Sequence, residues 1–231
     1  LDPSVRGAPR LRDGDPVRAG DVVAELSGPA AALLTGERTA LNFLQHRAGI
    51  ATLTSRFVAE VAGTRCRILD TRKTLPGYRA LAKYAVRCGG GHNHRMGLYD
   101  RVMLKDNHWA AADGDIAALC ARARRLQPDL PIEIEVDDMD QFERALGLAP
   151  DWILLDNFPA RAACAAVARR NAAGSATLLE VSGNVTLDTV GDLARAGVDA
   201  ASVGRLTHSA PALDLGLDFA AGDGPAPGAA P

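Results

Sequence analysis

The chain has 231 residues, of which 47% are hydrophobic and 23% charged, and its formal net charge at pH 7 is −2. This composition excludes a largely disordered chain, and the near-zero charge excludes nucleic-acid binding through bulk electrostatics. The length suits one large α/β domain, or one domain with a smaller partner.

The four cysteines, Cys66, Cys88, Cys120 and Cys164, lie far apart and have no spacing typical of metal ligands. This usage is typical of reduced thiols in a cytoplasmic protein. The sequence has no apolar run of about 18 residues and no signal-peptide pattern, so we expect neither a membrane span nor secretion.

Near the start of the chain, residues 13–23 predict a strand, a turn and a second strand. The stretch resembles the hammerhead hairpins of biotinyl carriers, but its turn has no lysine, so a carrier role is not indicated. A predicted helix follows, and it carries Arg38.

Short apolar runs then alternate with amphipathic segments of helical period. The predicted strands cover residues 67–70, 102–105, 132–136, 152–156, 177–181 and 201–204. The predicted helices cover residues 78–88, 116–126, 139–148, 161–171 and 187–196, and each stops near a glycine or proline. Asp138, three residues ahead of Gln141, predicts an N-cap with a capping-box partner. The repetition favours a closed or nearly closed α/β barrel, and the absence of GxGxxG after the first strand argues against a dinucleotide fold.

Charge is unevenly distributed along these repeats. Residues 65–105 contain ten Lys/Arg and two Asp, whereas residues 129–156 contain nine Asp/Glu and one Arg. Both blocks could be solvated helix faces. In a barrel, however, the carboxyl ends of the strands meet at one mouth, where active sites lie. The basic block would then line one side and Glu135 and Asp156 the other, which suits an anionic substrate beside a metal-bound anion.

Several long motifs resemble the quinolinate phosphoribosyltransferase family over roughly residues 15–219. They are ERTALNFLQ (37–45), GIAT (49–52), DTRKTLPGYRALAKYAVRCGGGHNHRMGLYD (70–100), LKDNH (104–108), LLDNF (154–158), EVSGNV (180–185) and SVGRLTHSAPALDLGLDF (202–219). The family transfers phosphoribose from phosphoribosyl pyrophosphate to quinolinate with Mg²⁺, releasing CO2 and pyrophosphate and giving nicotinate mononucleotide for NAD synthesis.

The resemblance implies an α/β fold in which a partial α/β sandwich domain precedes an open (β/α) barrel, and a homodimer. We expect the sandwich part over residues 1–45, with several tens of residues missing before Leu1, and the barrel over residues 46–207. Residues 208–219 are expected to pack on the sandwich part, and residues 220–231 to form a disordered tail.

The resemblance also implies roles for individual residues. The quinolinate carboxylates would be held by Arg72, His94, Arg95 and Lys105, with Lys73 close by and Arg38 reaching in from the other subunit. Glu135 and Asp156 would position the ribose hydroxyls and Mg²⁺, directly or through water, and act with Lys105 in catalysis. The 5′-phosphate would contact Ser182, Gly183, Asn184, Gly204 and His208.

Other interpretations stay open at this point. Arg72 and Arg95 could form surface ion pairs, His94 could be a core histidine, and Arg38 could pair within its helix. Glu133 shares a strand face with Glu135 and rivals it for the same role, and Glu135 and Asp156 could be exposed strand-end acids. Gly183 could serve only a helix-entry turn.

Lys105 could be the Schiff-base lysine of a barrel aldolase. The chain could also be a truncated ligand-binding fragment without activity.

Overall fold

The computed structural model describes residues 2–219 and begins with a small antiparallel sheet. The tail predicted over residues 220–231 lies outside this range. Strands β1 (Arg6–Pro9) and β2 (Ala24–Ser27) pair so that Arg6 lies opposite Ser27. Of the helices among the described residues, none is long and apolar enough to cross a membrane.

The prediction of two strands within residues 13–23 is wrong, because this stretch forms two tight turns. The carboxylates of Asp15 and Asp21 accept the backbone N–H groups of Arg12 and Arg18, and the same aspartates donate their own N–H groups back. Gly14 and Gly20 precede them with φ of 92° and 90°. The aspartate side-chain hydrogen bonds and the positive φ angles of the two glycines therefore favour turns over the predicted strands.

Helix α1 (Ala30–Glu60) links the small sheet to the barrel. Its second half buries Ile50, Thr54 and Phe57. The segment 211–215 crosses it: Leu213 donates its N–H to the Gln45 carbonyl at 3.0 Å, and Gln45 Nε2 donates to the Leu215 carbonyl at 2.6 Å. A Cβ on Gly49 would lie 2.0 Å from the Pro211 carbonyl oxygen, so only glycine permits this crossing.

The remaining elements alternate between strand and helix. In chain order they are β3 (Arg67–Leu69), α2 (Arg79–Cys88), β4 (Val102–Leu104), α3 (Asp106–Ala111), α4 (Ile116–Leu126), β5 (Ile132–Val136), α5 (Met139–Leu146), β6 (Trp152–Asp156), α6 (Ala160–Ala172), β7 (Leu178–Ser182), α7 (Leu187–Arg195), β8 (Ala200–Ser202) and α8 (Arg205–His208). The six strands and five helices predicted from the sequence are all present, with ends shifted by up to two residues. Helices α3 and α8 were not predicted.

The strand order β3-β8-β7-β6-β5-β4 is that of a parallel α/β barrel, because the first strand lies beside the last. Within residues 2–219, β3 and β4 do not pair with each other, so the barrel is open there. His92 bridges to Leu69 on the free side of β3, with its N–H donating to the Ile68 carbonyl at 2.8 Å. The chain after His92 therefore runs along the opening toward the barrel interior.

Alternation along the strands separates two environments. On β5, Ile132 and Ile134 face the surrounding helices and belong to the apolar core, whereas Glu133 and Glu135 face the barrel interior. Helix α5 contributes the fully buried Phe142 to the same apolar layer. Burying such a side chain contributes about 1.5–3 kcal/mol, so the layer outside the sheet stabilises a barrel whose interior is polar.

The predicted N-cap of α5 is confirmed. The Asp138 carboxylate accepts the N–H of Gln141 at 2.8 Å. Gln141 Oε1 accepts the N–H of Asp137 at 3.0 Å, one residue before the expected partner. The helix start is thus fixed from both sides, although the reciprocal bond differs from an ideal capping box.

Candidate active site

A cavity of about 660 Å³ opens at the carboxyl ends of the parallel strands. Its wall carries every residue predicted for the site except Arg38. One side of the cavity is lined by cations and a second side by two acids. The third side is lined by small residues that follow β7 and β8.

The cationic side is built from three places in the chain. Arg72 and Lys73 follow β3, Lys105 follows β4, and His94 and Arg95 come from the segment in the barrel opening. Burial lowers the pKa of Arg95, and the charge of Arg72 lowers it further. The two guanidinium groups therefore repel one another across the cavity, and an anion between them would relieve that repulsion.

A buried ion pair behind this wall fixes the segment that supplies His94 and Arg95. Lys83 Nζ pairs with Asp70, and both side chains are almost fully buried. Lys83 also donates to the His94 carbonyl at 3.0 Å, while Asp70 accepts the His94 N–H at 2.9 Å and Asn93 Nδ2 at 2.6 Å. Asp70, noted in the sequence only as a strand end, thus anchors the loop.

The acidic side consists of Glu135 at the end of β5 and Asp156 at the end of β6. Burial raises the pKa of Glu135, and the charge of Asp156 adds to this, whereas the hydrogen bond and charge of Lys105 oppose it. Lys105 Nζ and Glu135 form an ion pair that links the cationic and acidic sides. The carboxylates are thus close enough to repel each other, which favours binding of a cation between them.

Asn157, which sequence reasoning did not assign to the site, orients Asp156. Its Nδ2 donates to Asp156 Oδ2 at 2.7 Å, and its Oδ1 accepts from Asn184 Nδ2 at 3.1 Å. Ser182 Oγ donates to the other Asp156 oxygen at 2.6 Å. Asn157 and Asn184 have φ of 53° and 49°, an uncommon conformation that clusters at functional sites. An asparagine directly after a strand-end aspartate was the available sequence signal.

The third side carries the residues predicted for a phosphate. Ser182, Gly183 and Asn184 follow β7, and Gly204 and His208 lie after β8. Gly183 has φ of 80°, and a Cβ there would lie 2.2 Å from Asn157 Oδ1. Only glycine fits against Asn157, so the turn after β7 carries no side chain at this position of the cavity wall.

Four charged or titratable side chains close the inner end of the cavity. His94 Nε2 lies 3.2 Å from Glu133 Oε2 and 3.4 Å from Glu180 Oε2, and Arg101 Nη1 donates to Glu133 Oε2 at 3.0 Å. The Arg101 guanidinium also lies over the Trp152 ring, 5.1 Å from its centre. Glu133 is fully buried in this cluster and absent from the cavity wall, so Glu135 is the strand-face acid that a ligand can reach.

Glu180 and Arg101 were not predicted from the sequence as part of this cluster. Both lie in or beside predicted strands, and a charged residue inside an apolar strand run of a barrel was the signal that could have found them.

Among residues 2–219, His94, Glu133 and Glu180 form the one group of three side chains spaced like metal ligands. A metal ion would have to share this space with the Arg101 guanidinium, whose Nη1 lies 3.3 Å from His94 Nε2. Glu135 and Asp156 line the cavity and are two carboxylates that could hold Mg²⁺, which takes few protein carboxylates and completes its shell with water and substrate phosphates.

Arg38 lies away from the cavity of its own chain. It sits on α1 with its side chain 71% exposed, and its guanidinium is 3.6 Å from the Glu37 carboxylate. A role in the site would require a second copy of the chain.

Comparison with known proteins shows which protein family this chain resembles. Residues 50–218 match the model of the quinolinate phosphoribosyl transferase C-terminal domain, and residues 4–47 match that of the N-terminal domain. Nicotinate-nucleotide pyrophosphorylase (carboxylating) of Mycobacterium leprae (strain TN) is 48% identical over 210 residues, covering 91% of this chain and 74% of the relative. A probable enzyme of the same name from Bacillus subtilis (strain 168) is 44% identical over 219 residues, covering 94% and 74%.

Solved structures agree with the sequence relatives. The crystal structure of nicotinate-nucleotide pyrophosphorylase from Ehrlichia chaffeensis superposes with a TM-score of 0.87 at 40% identity, covering 93% of this chain and 77% of that one. The corresponding structure from Francisella tularensis gives 0.86 at 40% identity, covering 91% and 74%. The chain belongs to the quinolinate phosphoribosyltransferase family.

Proposed function

We propose that this chain transfers phosphoribose from phosphoribosyl pyrophosphate to quinolinate and decarboxylates it, giving nicotinate mononucleotide, pyrophosphate and CO2 for de novo NAD synthesis. The observation that carries the proposal is a single cavity in which Arg72, Arg95 and Lys105 face Glu135 and Asp156. The names of the relatives describe the same activity.

Quinolinate has two adjacent carboxylates and would bind on the cationic side. The planar guanidinium groups of Arg72 and Arg95 match carboxylates in pairs, and Lys105 adds a point charge at the opposite edge. Lys73 and His94 line the same side, with His94 at the inner end. Partial burial of Arg95 strengthens its attraction for an anion, since the local dielectric is lower than in water.

Phosphoribosyl pyrophosphate would bind across the other two sides. Glu135 and Asp156 suit the ribose hydroxyls, and Ser182, Asn184 and His208, with the backbone at Gly183 and Gly204, suit the 5′-phosphate. Glu135 and Asp156 would also hold Mg²⁺, directly or through water; the ion would supply positive charge to the departing pyrophosphate.

The chemistry follows from this placement. The pyridine nitrogen attacks the anomeric carbon as the bond to pyrophosphate breaks, and Glu135 and Asp156 stabilise the positive charge that develops on the sugar. The nitrogen is then cationic, so the ring accepts the electron pair of the bond to the 2-carboxylate, which leaves as CO2. Lys105 or a water would then give the ring carbon a proton. The protein otherwise orients and desolvates the substrates.

A barrel aldolase using Lys105 is not favoured. The Lys105 ammonium is ion-paired with Glu135 and stands among cations that suit an anion, not a carbonyl substrate. Borohydride treatment with a carbonyl substrate should therefore leave Lys105 unmodified, and a stable adduct there would support the aldolase.

Turnover tests the proposed function directly. The chain is incubated with carboxyl-labelled quinolinate, phosphoribosyl pyrophosphate and Mg²⁺, and labelled CO2 and nicotinate mononucleotide are measured. We expect both products in equal amounts, and neither when phosphoribosyl pyrophosphate is omitted. CO2 release no faster than in buffer would contradict the proposal and support a ligand-binding fragment without activity.

We also propose a homodimer in which Arg38 reaches the cavity of the partner. Arg38 is exposed and lies outside its own cavity, and α1 leaves Leu34, Phe43 and Leu44 exposed nearby in sequence. A contiguous exposed apolar patch is typical of a protein interface, and these side chains would form part of one. The cytoplasmic location expected from the sequence stays a prediction.

Mixed dimers test the shared site. Neither Arg38→Ala nor Lys105→Ala homodimers should be active, because every pocket then lacks one cation. In verified heterodimers one of the two pockets is intact, so activity should return to about half the wild-type level. Differently tagged subunits allow the heterodimer to be purified before assay. No recovery in it would contradict a pocket shared between subunits.

A further inference from the structure

Both ring nitrogens of His94 have protein partners. Nδ1 lies 2.7 Å from the backbone N of Arg95, whose N–H points at it. Nε2 faces Glu133 Oε2 at 3.2 Å and Glu180 Oε2 at 3.4 Å. His94 therefore has no free ring nitrogen for a substrate carboxylate in this arrangement.

The partners fix which nitrogen carries the proton. A backbone N–H can only donate, so Nδ1 is the acceptor in the contact with Arg95. Arg101 Nη1, another group that can only donate, lies 3.3 Å from Nε2 and 3.0 Å from Glu133 Oε2. Because Nδ1 is an acceptor, the proton of a neutral ring must lie on Nε2, where Glu133 Oε2 at 3.2 Å and Glu180 Oε2 at 3.4 Å are the nearby acceptors.

This tautomer lets the His94 ring hold the backbone of Arg95. The His94 ring holds the Arg95 backbone N–H, and the Arg101 carbonyl accepts from Arg95 Nη1 at 3.2 Å. His94 and Arg101 are in turn held by Glu133. The buried carboxylate is thus connected to both ends of an arginine in the cavity wall, although Glu133 itself does not reach the cavity.

We propose that Glu133 is a positioning residue: it keeps the proton of His94 on Nε2, so that Nδ1 holds the Arg95 backbone and Arg95 presents its guanidinium to a substrate carboxylate. The inference rests on the proposed function for the identity of that substrate. It assigns His94 to holding Arg95, where the family resemblance implies direct binding of quinolinate.

The charges of the cluster agree with this assignment. Glu133 Oε2 accepts from Arg101 Nη1 at 3.0 Å, and this positive partner favours the ionised carboxylate. Burial, reinforced by the charge of Glu133, raises the pKa of Glu180. Arg101 Nη1 lies farther from Glu180, 3.9 Å from its Oε2, and Ser202 Oγ donates to Glu180 Oε1.

The His94 ring could be charged or neutral, and its contact with Arg95 decides between the two. Burial disfavours a charged ring, yet hydrogen bonds and charges from Glu133 and Glu180 raise the pKa of His94 to about 9. A charged ring would place a hydrogen on Nδ1, facing the Arg95 N–H across 2.7 Å. Two donors cannot share that separation, so we assign the neutral ring with its proton on Nε2.

Substitutions at the two buried glutamates test the role. Glu133→Gln removes the negative charge, so that Arg101 Nη1 and His94 Nε2 compete for one neutral amide oxygen and the ring proton is held on Nε2 less firmly. We expect the KM for quinolinate to rise at least about 10-fold while the KM for phosphoribosyl pyrophosphate changes less than about 2-fold. Glu180→Gln is the matched control at the same depth, and its effect on the KM for quinolinate should be several-fold smaller.

His94→Asn checks that Glu133 acts through the histidine. Asparagine keeps an acceptor near the position of Nδ1 but has no group at Nε2. Glu133→Gln should therefore change the KM for quinolinate less than about 2-fold in that background. Equal rises in both KM values, equal effects of the two glutamine substitutions, or a full effect of Glu133→Gln in the His94→Asn background would overturn the proposal.

Nitrogen NMR of histidine-labelled wild-type protein gives a readout that does not depend on turnover or on the folding of a variant. The signals of His94 are assigned by their loss in His94→Asn. At pH 7 we expect one protonated nitrogen, Nε2, and an unprotonated Nδ1. A charged ring or a proton on Nδ1 would overturn the proposal. If the wild-type chain had no activity on quinolinate, the proposed function would fail, while the tautomer would still decide the role of Glu133.

Discussion

Replacing Lys105 with methionine is expected to lower kcat/KM for quinolinate by at least about 100-fold. Hydrogen bonds to charged groups contribute about 1.5–3 kcal/mol, and in the proposed function Lys105 makes one with a substrate carboxylate. The substitution also removes the partner of Glu135. Because Lys105 lowers the pKa of Glu135, its loss shifts that pKa further upward and weakens the acidic side.

Steady-state kinetics at saturating phosphoribosyl pyrophosphate measure this effect. Arg122→Met, at an exposed position on α4, is the control for removing a positive charge and should change kcat/KM less than about 2-fold. The Lys105 side chain is 38% exposed, so its loss should leave the unfolding midpoint close to that of the wild type. A value of kcat/KM within about 3-fold of the wild type would remove Lys105 from the site.

Lys83→Met is expected to lower the free energy of unfolding by about 3–5 kcal/mol, because it leaves the buried Asp70 carboxylate without its charge partner. Asp70 and Lys83 are 0% and 2% exposed. The loss also frees the His94 carbonyl, so the loop that carries His94 and Arg95 should loosen. Urea denaturation followed by circular dichroism measures the change.

Two controls separate the lost ion pair from the substitution itself. Arg87 lies on the exposed side of the same helix, α2. Replacing it with methionine should change the free energy of unfolding by less than about 0.5 kcal/mol. Asp70→Asn combined with Lys83→Met removes both charges and should recover part of the stability, since no unpaired charge stays buried. A loss below about 1 kcal/mol for Lys83→Met alone would contradict the role of the pair.

The barrel could be predicted from the sequence because its signals are local. The run IEIEV (132–136) has an apolar residue at every second position, and such a run followed by a capped helix at Asp138 indicates one strand–helix repeat. The residues that follow each strand could likewise be assigned to one mouth, since parallel strands place their carboxyl ends together. Family resemblance then gave the individual roles.

Local signals failed where distant contacts decide the structure. Residues 13–23 were predicted as a strand, a turn and a second strand, but they form two turns, at Gly14 and Gly20, because the turn chemistry was given too little weight. The contacts of His94 with Glu133 and Glu180 join residues 39 and 86 positions apart, so no spacing rule could indicate them. The exposed position of Arg38 likewise carries no local sign of the role in a partner's cavity that is proposed for it.

A crystal structure of this chain with quinolinate and a non-reactive phosphoribosyl pyrophosphate analogue is the most direct measurement. The cavity predicts the two carboxylates within about 3 Å of Arg72, Arg95 and Lys105, and the 5′-phosphate against Gly183 and Gly204. A dicarboxylate bound beside Ser182 and Gly204, with Arg72 and Arg95 touching no ligand, would contradict the division of the cavity into a cationic and an acidic side.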